Sequence, residues 1–140
     1  VEKFVEDVDR TKVLTARHVM KRPETVNIDR HGPRVALERM RAEGISSILV
    51  VNNKRELQGY VITEDAVEAR NQDVRDLHGI LRTDIKQVTK DTPMNEIFPL
   101  IHNTPIPIAV TDSDDKLIGI LVRGAIIAGL AKEGGVNEDA

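Results

Sequence analysis

The 140-residue sequence has no cysteine and no tryptophan, and its aromatic residues are Phe4, Tyr60 and Phe98 alone. Without thiols it has no disulfide framework, no thiolate nucleophile and no thiolate metal site, a usage that agrees with a reducing compartment. Three rings are too few for the stacking platform of a single-strand nucleic-acid binder. Lys+Arg at 20 against Asp+Glu at 23, net −3, supplies no dominant attraction to a phosphate backbone. Nucleic acid is therefore not an expected partner. Long apolar runs are also missing. Ile106 to Val110 and Gly124 to Ala131 fall far short of the roughly 20 residues that span a bilayer, and the charged start Val1-Glu2-Lys3 has no signal-peptide core. A cytoplasmic location is expected, and a start at Val1 is what a piece of a longer protein, or a chain processed at its N-terminus, would show.

Catalytic and metal-binding patterns are absent in the same way. There is no GxxxxGK[ST], so no catalytic residue is expected and any parent ATPase domain would lie upstream. The run Asp112-Ser113-Asp114-Asp115 suggests calcium, but an EF-hand loop starting at Asp112 would need Gly where Leu117 stands and Glu where Arg123 stands. A solvated hairpin turn is the expected reading. His18, His31, His78 and His102 show no HExxH or i, i+4 pairing, so no metal site is expected.

What the sequence does contain is an internal repeat. A shift of 60 residues with no gap pairs Pro33 with Pro93, Leu37 with Ile97, Met40 with Leu100, Ile48 with Ile108, Val50 with Val110, Leu57 with Leu117 and Gly59 with Gly119. Upstream it pairs His18 with His78 and Arg22 with Arg82, which marks the two histidines as equivalent positions. In the first copy a short strand near Thr25 to Ile28 precedes a helix from Pro33 to Glu43, opened by Pro33 and closed by Gly44. Ala36, Leu37 and Met40 share its apolar face. The β-branched run Ser47 to Val51, the polar turn from Asn52 to Glu56 and the run Leu57 to Ile62 read as a hairpin. Thr63 then stands where it would cap a helix carrying Glu64 and Asp65 in its first turn.

The second copy predicts strands at Ile85 to Thr89, Ile106 to Val110 and Leu117 to Val122, with a helix from Pro93 to about Asn103. A closing helix from Arg123 to Lys132 leaves little polar face and is expected to be covered on more than one side, by the other repeat or by a partner chain. Units of about 60 residues are marginal alone, so the halves should fold against each other. The fold class is α/β with two pseudo-symmetric β-α-β-β-α repeats. The expected organisation is a tail or linker over 1–14, repeat one over 15–75, repeat two over 76–133 and a flexible acidic tail over 134–140.

This string of elements resembles a tandem pair of CBS domains, from about Thr15 to Lys132. The segments Phe4 to Arg10, His31 to Leu37 and Leu130 to Asn137 further resemble the C-terminal part of the ATP-binding subunit of bacterial glycine betaine/L-proline ABC transporters. The resemblance implies adenine nucleotides in the clefts between repeats, or a cyclic dinucleotide at a dimer axis, with no cofactor required. It also implies an upstream ATPase domain and permease subunits as partners and a place at the inner face of the cell membrane, while the 60-residue repeat and the apolar helix from Ala125 to Ala131 predict a homodimer through the helical faces. The family's pocket signature is Gly, two apolar residues, Thr or Ser, two variable residues and Asp. The hydroxyl faces phosphate and the carboxylate holds the ribose.

In the first copy the segment Gly59 to Asp65 keeps Asp65 but puts Ile62 where the hydroxyl belongs, with Thr63 next to it, and these three are the candidate ligand contacts there. In the second, Val122 and Ala125 replace both polar positions, and Arg123 stands at the cleft edge as a candidate phosphate contact. A ribose diol left without an acceptor costs on the order of 1–3 kcal/mol, so the departures weigh against a conventional site. Asp65 and Arg123 also read simply as residues at helix starts.

Charge is uneven: through Arg55 there are 12 Lys+Arg against 8 Asp+Glu, and from Glu56 onward 8 against 15. The cationic stretch containing Arg34, Arg39 and Arg41 is a candidate contact for an anionic membrane surface or acidic partner, or an ordinary solvated face. The leading expectation is a regulatory module of an osmoprotectant importer, sensing ionic strength or a nucleotide and gating an ATPase. The alternatives are a nucleotide-sensing module of another enzyme or transporter, and a ligand-free dimerisation domain.

Overall fold

The computed structural model describes residues 14–101 and 105–128. Residues 1–13 of the expected tail over 1–14, the expected tail over 134–140, His102 and the end of the closing helix lie outside those residues. In chain order the elements are α1 (Ala16–Val19), β1 (Thr25–Asn27), α2 (Pro33–Glu43), β2 (Ser47–Val51), β3 (Leu57–Ile62) and α3 (Thr63–Asn71). A 3₁₀ turn at His78–Ile80 leads to β4 (Gln87–Val88), α4 (Met94–Ile97), a second 3₁₀ turn at Phe98–Ile101, β5 (Ile108–Thr111) and β6 (Leu117–Leu121). A helix, α5, occupies 123–128 of the described residues.

The strands form two three-stranded sheets, β1-β2-β3 and β4-β5-β6. In each, the first strand runs parallel to the second and the second antiparallel to the third. The parallel pair needs a crossover, which α2 supplies in the first copy and the short α4 segment in the second. Both hairpins carry a register shift at the same place, between Val50 and Val51 and between Val110 and Thr111. Pro33 opens α2, and Gly44 closes it at φ 67, its N–H and that of Ile45 bonded back to the Met40 carbonyl.

Alternation along the strands divides the core into three. Ile48, Val50 and Val61 pack with Ala36, Met40 and Ala66 on the helix side of the first sheet, and Ile108, Val110 and Leu121 with Met94, Ile97 and Ile126 on the helix side of the second. Their neighbours Leu49, Val51 and Tyr60 meet Ala109, Leu117 and Ile120 between the sheets. The period of two thus supplies both a helix-facing and a sheet-facing surface on the same strand.

The segment ahead of each copy crosses to the other. Ala16 lies in the second sheet's helix-side cluster, and Lys21 exchanges two backbone hydrogen bonds with Ile120, at 2.9 and 3.0 Å. Leu77 lies in the first sheet's cluster, and Arg82 exchanges two with Tyr60, at 2.8 and 2.9 Å. Lys21 therefore matches Arg82, 61 positions on, so His18 and His78 are not equivalent as the ungapped shift predicts. His18 accepts a hydrogen bond from the Thr15 N–H through Nδ1 at 3.0 Å. His31 accepts one from the Asn27 N–H at 2.8 Å, and burial, with the Arg39 and Arg30 charges beside it, holds its pKa below the ordinary value.

The acidic run is a hairpin turn, as expected. One Asp112 oxygen accepts the N–H groups of Asp114 at 2.8 Å and Lys116 at 3.0 Å, just as Asn52 does for Lys54 and Glu56, both at 2.9 Å. Arg55 and Asp115 take matching left-handed conformations, φ 66 and 65. The two turns join through Leu57 N–H to the Asp115 carbonyl, 3.1 Å, and Leu117 N–H to the Arg55 carbonyl, 2.9 Å. Bonds from the Lys116 and Asp114 N–H groups lower the Asp112 pKa from its ordinary 3.8. A lowered carboxyl stabilises fully above the unfolded value and loses that share as pH falls through the folded one. The stability advantage of the wild type over Asp112→Asn should therefore shrink in urea titrations carried from about pH 7 down to about pH 3.

Candidate functional site

The first candidate site lies where β3 runs into α3 and the Leu77 to Arg82 arm meets both, through the Tyr60–Arg82 bridge and the Arg82–Asp65 pair. Gly59 makes the close approach possible: a Cβ there would sit 2.2 Å from the Arg82 carbonyl oxygen. Just beyond, the Tyr60–Arg82 bridge brings the Arg82 side chain over the first turn of α3. Its Nε donates to Asp65 Oδ2 at 2.9 Å, with the two side chains 47% and 27% exposed. That hydrogen bond, and then the Asp65 charge, raise the Arg82 pKa further above its ordinary value. Tyr60 is buried, and its hydroxyl donates to Asp84 Oδ1 at 2.8 Å. Burial, then the bond to Asp84, raise its pKa.

The structure places the other sequence candidates as follows. Thr63 does not cap α3; Ile62 holds that position and Thr63 is the first helical residue. The Thr63 hydroxyl donates to the Ser46 carbonyl at 3.1 Å and lies 3.4 Å from the Met40 sulfur, tying the helix start to the end of the α2 turn. Ile62 and Val122 both pack against the cluster between the sheets, so the position of the family's hydroxyl is apolar in both copies and used for packing. Arg123 is exposed at the start of α5. In this second cleft Gly119 admits Met20, whose sulfur a Cβ would meet at 2.6 Å, and no carboxylate stands where Asp65 stands in the first.

Arg34, Arg39 and Arg41 separate. Arg34 and Arg41 are exposed, two turns apart on α2, whereas Arg39 is half-buried and donates to the Thr25 carbonyl. Among the described residues no three His, Asp or Glu side chains are grouped to hold a metal ion. Sequence reasoning missed Arg82, Tyr60 and Asp84. The shift that paired Arg22 with Arg82 carried a signal for the arms but not for the sheet each one joins. The site can oppose one carboxylate and one guanidinium to a ligand carrying both a diol and an anion.

A family model described as CBS domain matches residues 5–71 and 74–132. Glycine betaine/carnitine transport ATP-binding protein GbuA of Listeria monocytogenes is 49% identical over 131 residues, covering 94% of this chain and 33% of that protein. Glycine betaine transport ATP-binding protein OpuAA of Bacillus subtilis is 50% identical over 131 residues, covering 94% and 31%. The chain thus spans about a third of the length of these curated relatives. Among solved structures, CbpB in complex with c-di-AMP is similar in fold, with TM-score 0.78, 13% identity and 99% of each chain covered.

Proposed function

The chain belongs to the CBS domain family, and on that premise we propose that it is the regulatory part of the ATP-binding subunit of a glycine betaine importer, itself without catalysis, which gates the ATPase in response to an adenine nucleotide or cyclic dinucleotide. Identity near one half to two such subunits over nearly the whole chain supports the parent assignment. A cytoplasmic position beside the permease subunits follows from it, and no helix among the described residues is long and apolar enough to cross a membrane. Homodimerisation through the helical faces is part of the reading, supported by Ile127 on α5, a large apolar side chain 45% exposed.

The observation that carries the nucleotide reading is the Asp65–Arg82 pair. A ribose diol is a competing donor to Asp65, and its arrival frees Arg82 for the ligand's phosphate. Because Arg82 belongs to the arm that ties the second copy to the first sheet, the exchange moves the contact between the copies. A nucleotide present at 100 times its dissociation constant should add about 2.7 kcal/mol of stability, several degrees in melting temperature. Thermal melts with AMP, ATP and c-di-AMP check this. Asp65→Ala should abolish the shift, and no shift from any of the three with the wild type would refute nucleotide sensing.

A second reading, response to ionic strength, is favoured by the exposed Arg34 and Arg41 on α2. Screening shortens from about 8 Å at physiological ionic strength to about 3 Å at 1 M, so a weak contact with an anionic membrane surface would loosen as cytoplasmic salt rises.

A further inference from the structure

We propose that the cleft between the start of α2 and the loop after α3, lined by Arg34, Arg70 and Arg75, is a binding site for a small soluble phosphate monoester. It is distinct from the Asp65 cleft and independent of the nucleotide reading. The cavity measures about 340 Å³, at the lower end of the range for small-molecule sites. That leaves room for a phosphate and a pentose-sized group. Asp65 and Arg70 stand at opposite ends of α3, five residues or about 7–8 Å apart along its axis.

Charge decides the ligand class. The lining carries three guanidiniums against the single carboxylate of Asp73, a local excess of two positive charges in a chain whose net charge is −3. None of the three arginines has a side-chain hydrogen bond or ion pair among the described residues, whereas Arg17 and Arg82 each pair with an aspartate. Three like charges around one concavity repel one another until a counter-charge enters, and a phosphate dianion matches the excess. Guanidinium forks also suit phosphate oxygens geometrically. Val35 and the 38% exposed Val74 add apolar wall for the organic part of an ester.

The wall is firmly built. Gly32 presses so closely on the loop that a Cβ there would lie 2.3 Å from the Arg75 carbonyl oxygen. The α2 and α3 helices share the core that holds Ala36, Met40 and Ala66. The arginines therefore come from two elements fixed to each other.

Isothermal titration of the 140-residue chain with ribose 5-phosphate, at about 0.01 M salt where screening reaches roughly 30 Å, tests the site. Saturable binding is expected, absent with ribose alone. Arg70→Gln and Arg75→Gln should each weaken it about tenfold, the loss of one charge-assisted contact, while Arg41→Gln leaves it unchanged. All three side chains are exposed, and matching melting curves will show that the variants are folded. No saturable binding, or binding equally strong in Arg70→Gln and Arg75→Gln, overturns the proposal. So does capture on phosphatidylglycerol vesicles that ribose 5-phosphate fails to compete and that the same variants lose, which would make the cleft a membrane contact instead.

Discussion

Replacing Leu77 with alanine should destabilise the chain by about 2–5 kcal/mol, in one transition that takes both sheets down together. Leu77 is fully buried among Val26, Ile28, Met40 and Ile48 of the first copy, although it stands ahead of the strands of the second. Removing three side-chain carbons from a site walled by two helices and a sheet leaves a cavity that the backbone cannot close. Urea unfolding followed by far-UV circular dichroism and by Tyr60 fluorescence checks the coupling. The single tyrosine lies in the cluster between the sheets, so it reports the junction while circular dichroism reports the secondary structure of both halves. Separate midpoints for the two signals would show that the halves come apart independently.

Gly59→Ala should be nearly as costly, by about 3 kcal/mol and roughly 10 °C in melting temperature. The residue has φ 153, and the added methyl would overlap the Arg82 carbonyl. That clash can be relieved only by pushing the arm away from β3, which breaks the two bonds between Tyr60 and Arg82 and carries the Arg82 side chain off Asp65. The variant should therefore lose the nucleotide-induced melting shift together with its stability. Gly79→Ala is the matched control, with nothing within 4 Å of the new methyl. It should change stability by well under 1 kcal/mol. Equal effects of the two substitutions would show that neither the arm's approach nor the φ of Gly59 imposes the requirement there.

The elements with strong punctuation were legible in the sequence. Pro33 and Gly44 bound α2 at the expected residues, and β-branched runs flanking polar turns located β2 and β3, because local chemistry alone decides both kinds of boundary. The second copy followed less well. The helix expected from Pro93 to Asn103 is α-helical only over Met94–Ile97 and then tightens to 3₁₀, since Pro99 lacks the N–H that would bond the Asn95 carbonyl. The first strand of that copy shrinks to Gln87–Val88.

The ungapped shift held for the hairpins and slipped elsewhere. Val26 and Val88, paired to Val50 and Val110 respectively, stand 62 residues apart, while those partners stand 60 apart. Loops absorb such insertions without disturbing a core, so a fixed offset drifts outside the hairpins. At the candidate site the sequence identified Asp65 by its place in a pattern. It did not identify Arg82, whose meeting with Asp65 depends on which sheet the arm joins, a tertiary fact with no local signature.

The crossed arms bear on how the protein is made. Lys21 leaves the ribosome 99 residues before Ile120, its backbone partner (120 less 21). Until then Ala16 has no second-sheet core to enter, while the first sheet must wait for the Leu77 to Arg82 segment. Synthesis in vivo proceeds at about 5–20 residues per second, so the leading arm stays unpaired for roughly 5–20 s with its edge groups exposed. Contacts so distant in sequence slow folding as well.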